Sequence, residues 1–81
     1  MAEIIAVLTG GSRDGESTVL EEHVDRLYAA SEAPGLLDVY ESTGEQRHLA
    51  GNTEPAHVFA YSDQISAEGF APEAIHMPPR H

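Results

Sequence analysis

The stretch LTGGSRDGES, residues 8–17, constrains this chain more than any other. It follows the apolar run Ile4-Ile5-Ala6-Val7-Leu8, and two readings of it lead to different proteins. Gly10, four residues, Gly15, Glu16 and Ser17 match the spacing of a phosphate-binding loop, in which Gly-Lys-Ser/Thr opens a helix after a strand. Glu16 stands where that loop needs lysine. The lysine would meet the β- and γ-phosphates as a point charge. A carboxylate there is repelled by roughly 1–4 kcal/mol at about 4 Å, depending on the dielectric. No later strand ends in a Walker-B-like Asp. As a turn, the same residues fit well, because Asp14-Gly15 tolerates the positive φ of a tight hairpin. The stretch therefore reads as a hairpin turn, and no nucleotide or other cofactor is expected.

At 81 residues the chain allows one domain. A domain that small buries about 60% of its unfolded surface, so self-association or docking on a larger partner is expected to add buried area. Cysteine is absent, which excludes disulfides and thiolate zinc sites. The N-terminal residues Met1–Ile5 have no basic region and do not read as a signal peptide. No run approaches the roughly 20 apolar residues of a membrane span. Fourteen acids face four bases, Arg13, Arg26, Arg47 and Arg80, for a net charge of −10. Nucleic acid and anionic membranes would repel such a chain, since affinity for phosphates comes from Lys and Arg. The acidity reads first as a solvated surface, and second as a face that imitates DNA or docks on a basic partner.

Residues 3–9 and 36–41 read as β-strands from their aliphatic and β-branched content. AHVFAY, continued to residue 62, alternates, with His57, Phe59 and Tyr61 on one face and Val58 and Ala60 on the other. Residues 17–30 are ambiguous. Thr18 and Glu21 fit a capping box, with Leu20, Val24, Leu27 and Tyr28 on one helical face. STVLE equally fits the second strand of a hairpin. Ser42–Glu45 reads as a turn, with a further short strand near 46–50. From Ser62 the pattern is lost. Pro72, Pro78 and Pro79 punctuate an extended arm dotted with Phe70, Ile75 and Met77.

Chemistry-bearing motifs are sparse. His23, His48, His57, His76 and His81 show no ligand spacing, and HExxH is absent. His57 reads as a cross-strand neighbour of an aromatic. Ser12, Ser17 and Asp14 lie near one another, but no GxSxG elbow surrounds them. No catalytic or metal-binding residue is assigned, and no small-molecule substrate is expected.

LTGGSRDGESTVL, then VYESTGE, then AHVFAYSD, resembles small proteins of actinobacterial phages and prophages. These share an N-terminal strand, a Gly-Gly-x-x-Asp-Gly turn, a second strand, a Tyr-centred strand and a C-terminal aromatic strand. Gly10, Gly11, Asp14 and Gly15 carry the turn here, Tyr40 centres one strand, and Phe59 and Tyr61 lie on the other. The resemblance covers residues 3–62. It implies a hairpin, with STVLE as a strand, and a phage setting.

The expectation is an all-β domain over residues 1–62, a small antiparallel sheet or barrel, with an extended C-terminal arm over 63–81. Strands are expected near 3–9, 16–21, 36–41 and 56–62, with a helical turn between 22 and 32. The alternative is α+β, with residues 18–32 helical. The expected core holds Ile5, Val7, Leu20, Leu37, Val39, Val58 and Phe59. The expected function is a non-enzymatic virion protein, a capsid decoration or minor structural protein. It would be found in the virion, and in the host cytoplasm during assembly. It would contact the major capsid protein or another virion protein, and itself, through Phe70, Ile75 and Met77. The alternative is an acidic host-directed inhibitor or DNA mimic.

Overall fold

The computed structural model describes residues 2–51 and 53–78. The elements are β1 (Glu3–Thr9), a 3-10 turn (Gly11–Arg13), β2 (Ser17–Glu21), β3 (Arg26–Ala30), β4 (Leu36–Arg47), β5 (Ala56–Ser66) and a second 3-10 turn (Pro72–Ala74). The fold is all-β. The strands form one sheet in the order β2-β1-β5-β4-β3. Every neighbouring pair is antiparallel except β1 with β5, which run parallel with Ala6 opposite His57 and Leu8 opposite Phe59.

The sheet is open, not a closed barrel, but it curls strongly. Glu21 ends one edge strand and Arg26 begins the other. Five residues of chain span at most about 18 Å, whereas four flat inter-strand spacings already separate the edges by about 19 Å. The short link therefore draws the two edges toward each other. The main core cluster accordingly takes residues from all five strands: Ala6 and Leu8, Leu20, Leu27 and Ala29, Tyr40, and Phe59, with Met77 added from the arm. A second cluster, Val7, Ala56 and Val58 with Ile5 and Leu49, lies apart from it. All the expected core positions are buried except Ile5, which is half-buried.

Several local expectations are corrected. Residues 18–32 form no helix, because Arg26–Ala30 is β3, paired along its length with Leu37–Glu41, and before it lies a single tight turn at residues 22–23, closed by Val24 N–H to Glu21 O. The Ser42–Glu45 turn is instead a bulge inside β4, where the register passes from Ser42 opposite Phe59 to Gln46 opposite His57. Gly44 supplies its positive φ of 82°, and the Thr43 hydroxyl donates to Val58 O at 3.2 Å. The separate strand near 46–50 is therefore the end of β4, which stops at Arg47. His57 lies opposite Ala6 and Gln46, not beside an aromatic. β5 runs to Ser66, so the first residues assigned to the arm belong to the sheet.

Candidate functional site

Polar chemistry concentrates where the Gly10–Glu16 turn folds over the strands. β1 delivers the turn beside Tyr40 of β4 and Tyr61 of β5, whose rings meet edge-on at 5.8 Å. Gly11, at φ 67°, lies so close that a Cβ there would stand 2.6 Å from the Tyr40 hydroxyl and 2.8 Å from a Tyr61 ring carbon. Only glycine fits both the conformation and the space.

Four amides of the turn are spent within the protein. Gly10 N–H donates to Asp14 Oδ1 at 2.7 Å, Arg13 N–H to the Tyr40 hydroxyl at 3.2 Å, Gly15 N–H to Leu8 O and Glu16 N–H to Arg13 O. A phosphate cradle needs such amides free to point at the ligand. Glu16, in the position of the absent lysine, pairs with Arg13 at 3.2 Å.

Two buried charged residues organise the site, and neither stood out in the sequence. Arg13 is 6% exposed and Asp38 1%. Arg13 donates from Nε to Ala30 O and from Nη2 to Pro78 O, both at 2.9 Å. One side chain thus fastens the turn, the end of β3 and the arm together. Asp38 accepts from Ser12 Oγ at 2.6 Å and from Gln64 Nε2 at 3.1 Å. The Tyr40 hydroxyl donates to Gly10 O at 2.8 Å while accepting from Arg13 N–H. Burial pushes the Tyr40 phenol above its usual range, against the opposing pull of the Arg13 amide. Among the described residues no buried side-chain nitrogen or oxygen lacks a partner. A carboxylate in the middle of LLDVY, inside an apolar strand, is the signal that could have marked Asp38, since a lone buried charge is costly.

A cavity of about 630 Å³ opens beside this circuit, between Arg13, the Ser31–Gly35 turn, Leu36, Leu37 and Ile75. Among the described residues no three His, Asp or Glu side chains gather as a metal-binding group, and no helix is long and apolar enough to cross a membrane.

The three arm residues expected to bind a partner face this chain's own sheet. Met77 is buried in the main core and pairs with Ala29. Phe70 is half-buried with its ring 5.1 Å from Tyr28, and Ile75 is half-buried on the cavity wall. The arm is built as an edge cover. His76 N–H and Met77 N–H both donate to Tyr28 O, and Ala30 N–H donates to Met77 O at 2.8 Å. Tyr28 N–H donates to His76 Nδ1 at 3.0 Å, and the two rings stack. Burial lowers the His76 pKa below its ordinary value.

No protein-family model, curated protein or solved structure matches this chain.

Proposed function

We propose that this chain is a non-enzymatic virion protein, a capsid decoration or minor structural component, that acts by protein contact. The observation that carries the reading is the closure of the polar circuit. Ser12 donates to the Asp38 carboxylate, which also accepts from Gln64, so this pair ties the turn to β4 and β5. Arg13, Asp38, Tyr40 and Ser12 spend their hydrogen bonds holding a turn, a strand end and the arm in one piece. Such a circuit serves rigidity, which suits a protein that presents a fixed surface. The phage setting rests on the resemblance carried by Gly10, Gly11, Asp14 and Gly15. The partner is then the major capsid protein or another virion protein, met in the host cytoplasm during assembly.

Quantitative mass spectrometry of purified particles from a strain carrying the gene tests this reading. Many copies per particle identify a decoration protein, and a few a minor component. Abundance in infected cells with none in particles overturns it.

A further inference from the structure

Among the described residues, no strand covers the edge of the sheet opposite the arm. β2 pairs only with β1, and Leu8 N–H to Glu16 O and Glu22 N–H to Ala2 O fix the phase of that pairing. Antiparallel ladders alternate, so the even-numbered residues of β2 bond inward while Ser17, Val19 and Glu21 turn their main-chain groups outward. Among the described residues, no hydrogen bond reaches the outward groups of Ser17 or Val19 from beyond the edge. The Val19 side chain is 57% exposed, the most exposed large apolar residue described.

The side chains beside this edge say what it prefers. Glu3 and Glu21 lie directly opposite each other across β1 and β2, and both are exposed. Like charges in that position destabilise a sheet. Among the described residues Glu21 makes an ion pair with His23 Nδ1 alone, at 3.3 Å, and no arginine pairs with Glu3. Glu22, also exposed, follows at the same end. A cation beside Glu21 removes the repulsion, and the net charge of −10 steers basic segments toward the chain.

We propose that the outer edge of β2 takes an extended, lysine- or arginine-bearing segment of a partner protein as a sixth strand, placing a basic side chain beside Glu3 and Glu21 and a β-branched one beside Val19. Strand addition gives affinity through the main chain and selectivity through alternate side chains. A second copy of this chain is the poorer occupant. It would bring a second net charge of −10 to the same edge. The inference rests on the contact reading above but commits to a place and a chemistry.

The probe is a synthetic peptide, Lys-Thr-Val-Thr-Lys-Thr-Val, whose lysines and valines fall on one strand face as Glu21 and Val19 do, with a counterpart carrying glutamate for lysine as control, added to the full chain. Amide exchange read by NMR is expected to slow at Ser17 and Val19 with the basic peptide, and added salt is expected to weaken the effect. Val19→Pro removes an outward N–H and no ladder bond, and is expected to reduce the protection about tenfold. Equal protection by the glutamate peptide overturns the charge assignment. Protection elsewhere but not at Ser17 and Val19, or binding unchanged in Val19→Pro, overturns the edge. Slow exchange at Ser17 and Val19 without peptide, rising with protein concentration, makes a second copy the occupant. Absence from particles overturns the virion reading alone and leaves these outcomes untouched.

Discussion

The two edges of this sheet receive opposite treatment. β3 is covered by the arm, through main-chain bonds at Tyr28 and Ala30, the His76 imidazole and the buried Met77 side chain. Among the described residues no strand or arm covers the outer side of β2, which shows an exposed Val19 and ends on the acidic Glu21 and Glu22. Bare edges invite pairing with other chains, and proteins guard them with charge, short length or a covering segment. Here one edge is covered and the other is short and acidic. The contrast teaches that the arm, which reads in sequence as the part that reaches outward, is the part that closes the fold.

The sharpest way to break this comparison is to remove the arm. Truncation after Ala71 deletes Met77 from the core and the bonds to Tyr28, Ala30 and Arg13. Loss of a buried Met side chain and several hydrogen bonds is expected to cost about 4 kcal/mol or more, a large part of a small domain's stability. Urea unfolding reads the loss, and size-exclusion chromatography reads the association expected of a second bare edge.

Proline can then be placed on each edge. Ala30→Pro removes the donor to Met77 O and is expected to cost about 3 kcal/mol. Equal costs for Ala30→Pro and Val19→Pro in urea unfolding would erase the distinction between the edges. Gly11→Ala tests the turn that ties β1 to the β3 side. Its Cβ would collide with Tyr40 and Tyr61, and its φ is left-handed, so a loss of about 2 kcal/mol is expected. Gly15→Ala, with open space around it, is expected to cost less by the same measurement.

A gentler effect comes from pH. Tyr28 N–H needs an unprotonated His76 Nδ1, and burial holds the His76 pKa below 6.5. The unfolded chain therefore binds more protons between that depressed pKa and 6.5. The contribution is fully present above pH 6.5 and is lost as pH falls toward the folded pKa. The Tyr28 ring, which stacks on His76 and also meets Phe70, faces the imidazole on this side. The Tyr28 and Ala30 amides are expected to exchange faster at acidic pH once intrinsic rates are corrected, while β1 is unaffected. His76→Asn should flatten that slope. The smallest change is expected from Val19→Pro, within about 1 kcal/mol, because the N–H it removes makes no bond to β1.

The legible parts of the fold were those with one clear period. Glu3–Thr9 and the starts of β4 and β5 could be read from aliphatic and β-branched content or alternation, whereas Ser17–Glu21 stayed open between helix and strand, with only the resemblance implying the strand it forms. β3 was hidden because Leu27, Ala29 and Ala30 are all buried while Tyr28 is half-buried. A curled sheet buries both faces of an edge strand, and the alternation that marks a strand disappears. The Ser42–Glu45 turn misled because a bulge uses the same residues as a loop. The site was less legible still. Arg13 reads as a turn residue and Asp38 as a strand impurity, and only the fold brings them together around Ala30, Ser12 and Gln64. The acidity was plain, but its pairing across Glu3 and Glu21 exists only once the register is known.

The central parallel pair has a consequence for biosynthesis. β5 lies between β1 and β4, so those strands stay apart until residues 56–66 are made. A ribosome extending this chain holds two hairpins that have nothing between them. Pairing Ile5 with Ala56 closes a long loop before any of the interior can form. The protein therefore gains its structure in one late step, at the slow rate of folds dominated by distant pairings. Until then β1 and β4 remain open to mispairing, and the acidic side chains beside them supply the repulsion that keeps unfinished copies apart.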